Sequence, residues 1–170
     1  YFDEEKEQVV TLEQDINECR KKNGEKPLSY YKGGPMADIS AYMAYTSRGN
    51  IINVEIPNND KAIDAYEMGR KLYFTKVGQL NFSCADCHVY QTGSKLRADI
   101  PSPGIGHPTH FPAYRSSAGR LVTLHERFAG CLNRVRAKPF KAQNAEYRNL
   151  EYFMTFMSNG LEINGPGSRK

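Results

Sequence analysis

Five consecutive residues, Cys84-Ala85-Asp86-Cys87-His88, restrict what this chain can fold into more than any other feature. The pattern Cys-x-x-Cys-His attaches a c-type haem: the two cysteines form thioether bonds and the histidine binds the iron. A disulfide or a redox-active Cys-x-x-Cys pair is the alternative, but the histidine directly after the second cysteine and the helix predicted before the motif favour haem. We therefore predict one covalent haem c, held by Cys84, Cys87 and His88.

The length and composition are those of a globular protein. The chain has 170 residues, of which 39% are hydrophobic and 25% charged, so one ordinary domain or two small ones are expected. No apolar stretch is long enough to span a bilayer. The sequence begins Tyr1-Phe2-Asp3 without a signal peptide, which indicates a processed or trimmed product. Because covalent haem attachment suits an exported, oxidising compartment, we expect the periplasm.

The net charge is +4, and basic side chains are concentrated in the second half of the chain: Arg115, Arg120, Arg127, Arg134, Arg136 and Lys138. A positive field of this kind attracts small anions or acidic protein partners. Nucleic acid is the weaker interpretation, because no aromatic platform or known binding motif accompanies these residues. We expect no nucleic-acid partner, and an ordinary solvated surface for most of these side chains.

Two segments of the chain match each other at a nearly constant spacing. At an offset of 112 residues (131 − 19), the aligned pairs are Val10-Thr11-Leu12 with Val122-Thr123-Leu124, Ile16 with Phe128, Cys19 with Cys131, and Lys26-Pro27-Leu28 with Lys138-Pro139-Phe140. After a shift of one residue, Met43 aligns with Met154 and Ser47-Arg48-Gly49 with Ser158-Asn159-Gly160. Such a repeat indicates a duplicated unit. Each copy is predicted to contain a helix with a cysteine, a Lys-Pro break and an aromatic-rich helix that ends at a glycine.

The duplication predicts a mainly α fold with two cytochrome c-like domains. Residues 1–56 would form a partial N-terminal domain without a haem motif, since an equivalent Cys-x-x-Cys-His would precede residue 1. Residues 57–170 would form a class I-like cytochrome c domain with the one haem. A missing N-terminus and a lost haem both explain the difference between the two copies.

The second domain should be framed by two helices that cross closely. Asp60 is the predicted N-cap of a helix that runs from about Lys61 to Val77. Gly69 and the following Leu72-Tyr73-Phe74 resemble the first helix of class I cytochromes c, in which the glycine permits close crossing with an aromatic C-terminal helix, here Leu150–Phe156. The long segment from Val89 to Arg120 contains most of the proline and glycine and is predicted to be a loop around the haem edge. No part of the chain indicates a β-sheet.

The sixth ligand of the iron is not the usual methionine. No methionine occurs between Val89 and Phe153, and Met154 and Met157 fall inside a predicted helix, where this residue is more often part of the core. The remaining candidates are His107, His110, His125 and Cys131. Of these, His125 is expected to be buried with a structural or propionate-contacting role, whereas His107 and His110 would require their loop to cover the iron.

Cys131 is the favoured candidate because of its place on a predicted helix over residues 121–136. Leu121, Leu124, Phe128, Leu132 and Val135 form the apolar stripe of this helix. Cys131 lies beside that stripe, with Arg127 one turn earlier on the same side. A fixed positive charge there favours the thiolate form that iron ligation or nucleophilic chemistry requires. A small buried residue or a disulfide with Cys19 is the alternative, although equivalent positions in two copies of a domain usually occupy separate sites.

A family resemblance extends over essentially the whole chain. The residues that carry it are His107–Arg115, Leu124–Phe128 with Cys131, Arg136–Pro139, Glu146-Tyr147, Leu150-Glu151 and Asn159-Gly160. Together they resemble the SoxA family, the catalytic cytochrome subunits of the SoxAX complex in bacterial sulfur oxidation. The joint spacing of Cys-x-x-Cys-His, arginine and cysteine is much more specific than the haem motif alone. The internal repeat agrees, since the family has two cytochrome c-like domains and its members differ in whether the first haem is kept.

The resemblance implies an L-cysteine S-thiosulfotransferase. Such an enzyme joins thiosulfate oxidatively to a cysteine of a SoxYZ-like carrier protein, and two electrons leave through haem to a SoxX-like monohaem cytochrome. By matching positions, His88 and Cys131 would be the axial ligands, Cys131 as a cysteine or a persulfide, and Arg127 would be the active-site cation. Cys19 would correspond to a ligand in the first domain, but Asp15 replaces the equivalent of Arg127, so no active site is expected there.

Two other functions fit the haem motif. The first is an electron-transfer cytochrome with thiolate or bis-histidine ligation and no transferase chemistry. The second is a haem-bearing sensor or assembly subunit, although nothing in the sequence indicates a switch. Sulfur transfer to a carrier distinguishes the transferase from the electron-transfer cytochrome, because both of these proteins would exchange electrons.

Overall fold

The computed structural model describes residues 1–96 and 99–169. Most of its regular structure is helical: α1 Leu12–Lys22, α2 Pro35–Thr46, α3 Asp60–Phe74, α4 Leu124–Arg134 and α5 Ala145–Met157. The predicted mainly helical class is therefore confirmed. Within the described ranges, no helix is both long enough and apolar enough to cross a membrane.

Two small sheets correct the expectation of a chain without strands. Strands β1 Phe2–Asp3 and β2 Gln8–Val9 pair as an antiparallel hairpin. Strands β3 Ala113–Arg115, β4 Arg120–Val122 and β5 Gly167–Arg169 form a three-stranded sheet in the order β4-β3-β5. Strand β3 is antiparallel to β4 and parallel to β5. Strands of two or three residues are too short to show the alternation of apolar and polar residues that predicts a strand.

Helix α3 differs from its prediction at both ends. Asn59, rather than Asp60, caps it: its Oδ1 accepts hydrogen bonds from the backbone amides of Lys61 at 2.9 Å and Ala62 at 3.4 Å. The helix ends at Phe74, three residues before the predicted Val77. Val77 instead pairs with Phe82 in an isolated antiparallel bridge, which turns the chain towards the Cys-x-x-Cys-His motif.

The predicted close crossing of α3 and α5 is confirmed at Gly69. A Cβ atom on Gly69 would lie 2.0 Å from the carbonyl oxygen of Asn149 and 3.0 Å from the Cβ atom of Phe153. Around this contact, the ring of Phe153 packs against those of Tyr66 and Tyr73, with centroid distances of 5.5 and 5.4 Å. Only glycine permits this approach of the two backbones.

Two clusters of buried side chains form the core. The first joins α3, α4 and α5 to the haem motif and consists of Tyr73, Ala85, Leu124, Phe128, Tyr147, Leu150, Phe153 and Met154. The second joins the β1–β2 hairpin to α3 and α5 and consists of Phe2, Val9, Ala62, Ala65 and Tyr152. Because Ala85 belongs to the first cluster, the motif is packed directly against the helices that carry the other predicted site residues.

The two aligned segments have the same local structure. Helices α1 and α4 each have 11 residues, and each follows a threonine, Thr11 or Thr123, whose hydroxyl accepts a hydrogen bond from the third amide of the helix. Gly49 and Gly160, shortly after α2 and α5, both have a φ angle of 85°. These similarities agree with the alignment of Cys19 and Cys131.

Candidate functional site

The Cys-x-x-Cys-His motif is fixed by reciprocal hydrogen bonds around its first cysteine. Oδ2 of Asp86 accepts hydrogen bonds from the amide and the hydroxyl of Ser83, both at 2.8 Å, and the Ser83 hydroxyl accepts one from the amide of Asp86 at 3.0 Å. These bonds hold the pKa of Asp86 below its usual value. A π-helical turn, Asp86–Tyr90, follows. The bonds fix the backbone on both sides of Cys84.

Three cysteines gather at this segment. Cys84, Cys87 and Cys131 are half-buried, and all four cysteines of the chain are free in the part that the structure describes. Burial raises the pKa of Cys84 to about 12, and the charges of Cys131 and Cys87 add to the shift. Burial also raises the pKa of Cys87, again with a contribution from Cys131. Cys84 also packs against the core cluster that includes Phe128, which belongs to the same helix as Cys131. The alternative disulfide between Cys19 and Cys131 is not formed.

His88 presents a nitrogen that can bind a metal. Its Nδ1 lies 2.8 Å from the carbonyl oxygen of Ser102, and since a carbonyl only accepts hydrogen bonds, Nδ1 carries the proton. Nε2 then keeps the free electron pair that a metal needs. Burial lowers the pKa of His88, opposed by the bond to Ser102 and assisted by the positive charge of Arg127. The ring is therefore neutral at neutral pH.

A capping box fixes the start of α4. The Thr123 hydroxyl accepts a hydrogen bond from the amide of Glu126, and the Glu126 carboxylate accepts one from the amide of Thr123, both at 3.4 Å. The guanidinium group of Arg120 donates two hydrogen bonds to the same carboxylate, both of 3.0 Å. Because Thr123 caps the helix, Leu121 lies before it, in β4, and the prediction of a helix already at residue 121 was wrong.

Helix α4 brings Arg127 and Cys131 to the haem motif. Its buried residues Leu124 and Phe128 pack in one cluster with Ala85, the residue between the two motif positions Cys84 and Asp86. Arg127 and Cys131 lie one turn apart on this helix and are both half-buried. The charge of Arg127 lowers the pKa of His88, and that of Cys131 raises the pKa of both motif cysteines, so α4 and the motif are electrostatically linked.

Three arginines form a positive group beside Cys131. Burial lowers the pKa of Arg115 in β3, and the charges of Arg127 and Arg134 lower it further, whereas Asp99 and Cys131 oppose the shift. Arg134 is partly balanced, since its Nη1 lies 3.7 Å from Oδ2 of Asp99. Together these arginines add positive charge on this side of the molecule, which suits a small anionic ligand.

His107 and His110 lie on the proton-bearing side of His88. The rings of His107 and His88 are nearly perpendicular, with centroids 4.6 Å apart, and Nε2 of His107 is 2.9 Å from the hydroxyl of Ser102. Burial, followed by the charges of His88 and His110, lowers the pKa of His107 to about 3, so its ring is neutral. Nδ1 of His110 lies 3.0 Å from the carbonyl oxygen of Gly106.

His125 is buried, and polar groups lie close to both of its ring nitrogens. Its Nδ1 accepts a hydrogen bond from the backbone amide of Gln143 at 3.2 Å. Its Nε2 therefore carries the proton and lies 3.0 Å from Oε2 of Glu151, although the two groups are not aligned for a hydrogen bond. This pairing links α4 to α5 and agrees with a structural role. Among the four sixth-ligand candidates, Cys131 is the one whose charge raises the pKa of both motif cysteines.

Sequence analysis did not identify two residues of this region. Ser102 lies between Pro101 and Pro103 in the long loop, and such a position has no signal that distinguishes it from an ordinary turn residue. Tyr73 belongs to an aromatic run of α3 and was expected only to pack. Its hydroxyl is buried and has no hydrogen-bond partner among the described residues, and burial raises its pKa, with a contribution from Cys84.

The donor set fits a covalently attached haem. Cys84 and Cys87 supply two protonated, unpaired thiols at the spacing that thioether attachment needs, and His88 supplies a neutral imidazole with Nε2 free. Cys131 supplies a further sulfur close by. The unpartnered hydroxyl of Tyr73 beside Cys84 offers a hydrogen bond to a bound group or a water molecule. The site can thus combine a redox centre with a cysteine sulfur and a cation.

Comparisons with known proteins agree with this chemistry. Residues 1–52 and 68–163 match the family model described as SoxA/TsdA, cytochrome c domain. The L-cysteine S-thiosulfotransferase subunit SoxA of Allochromatium vinosum is 56% identical over 170 residues, which are 99% of this chain and 60% of that protein. The subunit of the same name from Chlorobaculum tepidum is 54% identical and covers 100% of this chain and 59% of its own length.

A solved structure matches the fold as well. The crystal structure of SoxXA from P. pantotrophus contains a chain that superposes with a TM-score of 0.90 at 32% sequence identity. The match covers 100% of this chain and 63% of the other chain. The present chain therefore spans about 60% of the length of the curated relatives.

Proposed function

Because this chain belongs to the SoxA family of cytochrome c domains, we propose that it forms the catalytic part of an L-cysteine S-thiosulfotransferase. Thiosulfate is joined to a cysteine of a SoxYZ-like sulfur-carrier protein: the carrier thiol loses its proton, one sulfur–sulfur bond forms and two electrons leave. A SoxX-like monohaem cytochrome receives these electrons. The activity, substrates and partners are proposed for the whole protein, of which this chain spans about 60%.

The proposal depends chiefly on the packing of helix α4, which carries Arg127 and Cys131, against the haem motif. We assign Cys84 and Cys87 to the thioether bonds of one haem c, and His88 and Cys131 to the axial positions of its iron. When bound, the haem supplies a redox centre that accepts electrons one at a time. The cytochrome c family match and the donor set both support this cofactor.

Arg127 would hold the substrate. Thiosulfate is a dianion whose sulfonate oxygens can accept paired hydrogen bonds from a guanidinium group. Arg127 is half-buried, so its charge is less screened than that of a solvated arginine, and Arg115 and Arg134 add to the positive field. Cys131, as a cysteine or a persulfide, presents sulfur beside this anion, where sulfur exchange can take place.

The direct test is turnover of the haem-loaded protein with its carrier. Cys131→Ala should abolish formation of the carrier–thiosulfate conjugate, as read by mass spectrometry, and Arg127→Ala should slow it by roughly 100-fold, as for loss of one charge-stabilising donor. Arg70→Ala is the matched control, since it removes the same charge from the exposed surface of α3 and should react normally. Normal turnover in either site variant would contradict the proposal.

Low-temperature electron paramagnetic resonance tests the ligands separately from turnover. The oxidised protein should show histidine–thiolate ligation that is lost in Cys131→Ala, whereas a methionine or bis-histidine signature would contradict the assignment. A persulfide would make the peptide that contains Cys131 one sulfur atom heavier. A protein that exchanges electrons but transfers thiosulfate to no carrier would be an electron-transfer cytochrome instead.

We propose that residues 1–56 are a partial, haem-free copy of the cytochrome c unit at residues 57–170. The equal lengths and threonine caps of α1 and α4 support this duplication. At the offset of 111 residues, Ile39, Tyr42 and Tyr45 of α2 align with Leu150, Phe153 and Phe156 of α5. The first three are exposed, whereas Leu150 and Phe153 are buried in the first core cluster. Among the described residues, the apolar helix face of the first unit is thus exposed, whereas its counterpart in the second unit is buried.

A partner cytochrome and a periplasmic location complete the proposal. A SoxX-like subunit is supported by the structural match to SoxXA. Val89 and Tyr90, directly after the motif, are 47% and 66% exposed and offer an apolar surface for a redox partner. The periplasm is supported by the thioether chemistry of the motif, which suits an exported, oxidising compartment.

A further inference from the structure

The hydrogen bonds of Ser102 connect His88 to a second histidine. The carbonyl oxygen of Ser102 accepts from Nδ1 of His88 at 2.8 Å, and its hydroxyl lies 2.9 Å from Nε2 of His107. We propose that Ser102 and His107 are positioning residues that fix the ring orientation and the hydrogen bond of His88, and that they thereby tune the reduction potential of the iron that His88 binds. This inference rests on the proposed role of His88 as an axial ligand.

The geometry of His107 limits the rotation of the ligand ring. The two imidazoles meet edge to face, with planes at 85° and centroids 4.6 Å apart. In this arrangement, a rotation of His88 about its Cβ–Cγ bond would drive one ring into the other. His107 is in turn held by its bond to the Ser102 hydroxyl. Each of the three residues His88, Ser102 and His107 therefore contacts the other two.

The serine side chain itself is exposed, so its orientation depends on the bond to His107. Without that bond, the peptide group of Ser102 would be freer to turn, and the hydrogen bond from His88 would weaken. A hydrogen bond to the outer nitrogen of a ligating histidine makes the inner nitrogen more basic. A more basic ligand favours the oxidised iron, so loss of the bond should raise the reduction potential.

The surrounding loop has anchors that do not involve the Ser102 side chain. The amide of Gly104 donates to the carbonyl oxygen of His88 at 3.0 Å. The amide of Gly106 donates to the buried hydroxyl of Ser158 at 3.0 Å, and the hydroxyl of Thr109 donates to the carbonyl oxygen of Gly106 at 2.8 Å. Removing the serine hydroxyl should therefore leave the loop folded while it releases the contact to His107.

The test measures the haem rather than catalysis. In the haem-loaded protein, Ser102→Ala and His107→Phe should both raise the midpoint potential and change the anisotropy of the low-temperature resonance spectrum. Ser102→Thr keeps a hydroxyl and should restore both values. His110→Phe is the matched control, because the ring of His110 is 6.0 Å from that of His107 and does not bond to Ser102. Thermal unfolding should show that Ser102→Ala folds like the parent protein.

Two results would overturn the inference in distinguishable ways. If the parent protein shows histidine ligation but Ser102→Ala and His107→Phe leave the potential and the spectrum unchanged, then the positioning role fails and the proposed function stands. If the parent spectrum shows no histidine ligand, then the assignment of His88 fails, and both proposals fall together.

Discussion

The crossing of α3 and α5 at Gly69 allows a quantitative prediction for Gly69→Ala. In an exposed helix this change would stabilise the protein by about 1 kcal/mol, because alanine has the higher helix propensity. Here the new methyl group would lie 2.0 Å from the carbonyl oxygen of Asn149, whereas ordinary Cβ contacts begin at 3.4 Å. The two helices would have to separate by 1.4 Å, the difference between these distances.

The obstacle is a backbone group, so no side-chain rotation can relieve it. Overpacking of a tight core costs about 3 kcal/mol at the upper end of its usual range, and the gain in propensity offsets about 1 kcal/mol of that. The expected net loss in the free energy of unfolding is therefore about 2 kcal/mol. For a chain of this size, such a loss lowers the melting temperature by about 4–8 °C.

Guanidinium unfolding of the haem-loaded protein, followed by circular dichroism, measures this loss. The matched control is Asp64→Ala, which introduces alanine at an exposed position of the same helix and should change the stability by less than about 0.5 kcal/mol. If Gly69→Ala were as stable as the parent protein, or more stable, the two backbones would not meet at this point and the argument for the crossing would fail.

Two further predictions concern α4 and its surroundings. Thr123→Ala removes the capping box and should lower the free energy of unfolding by about 1 kcal/mol, whereas Thr123→Ser should keep most of it in the same denaturation assay; equal stability of the two variants would contradict the role of the cap. Burial raises the pKa of Glu13 from 4.5 to about 7, and the charge of Glu151 adds to this shift while that of His125 opposes it. Because a raised carboxyl pKa means that the folded state binds the proton more tightly, stability should fall as the pH rises from about 4.5 to about 7. Glu13→Gln should lose less stability than the parent protein between pH 5 and pH 8, and parallel pH profiles would refute the argument.

Features with a strong local pattern were predictable from the sequence. The glycine of α3 and the aromatic run of α5 predicted the crossing through their resemblance to the helices of class I cytochromes c, and glycine permits the approach because it has no Cβ atom. The spacing of Arg127 and Cys131 predicted that both would lie on one side of α4, and the structure places both beside the haem motif. Local errors concerned helix ends: Asn59 and Asp60 are both good caps, and the pattern does not distinguish adjacent candidates.

Features that depend on distant pairing were not predictable. Strand β3 pairs with β5, so that Ala113 lies opposite Gly167, and neither segment has a strand pattern of its own. Ser102 acts through its backbone carbonyl, a group that every residue has. This carbonyl bonds to His88 because the loop passes beside that ring. Many long-range contacts determine the path of the loop. Sequence patterns identify side chains with special chemistry, but not the ordinary groups that hold them in place.

The electrostatics of the site connect the proposed axial histidine with the proposed substrate. A ligating histidine must be neutral, and the positive charge of Arg127 disfavours its protonated form, in addition to the effect of burial. In the proposed reaction, the same charge also attracts the dianionic substrate. One half-buried cation thus acts on both the histidine and thiosulfate. It follows that replacing Arg127 by a neutral hydrogen-bond donor such as glutamine should affect both, whereas the same change at an exposed arginine should affect neither.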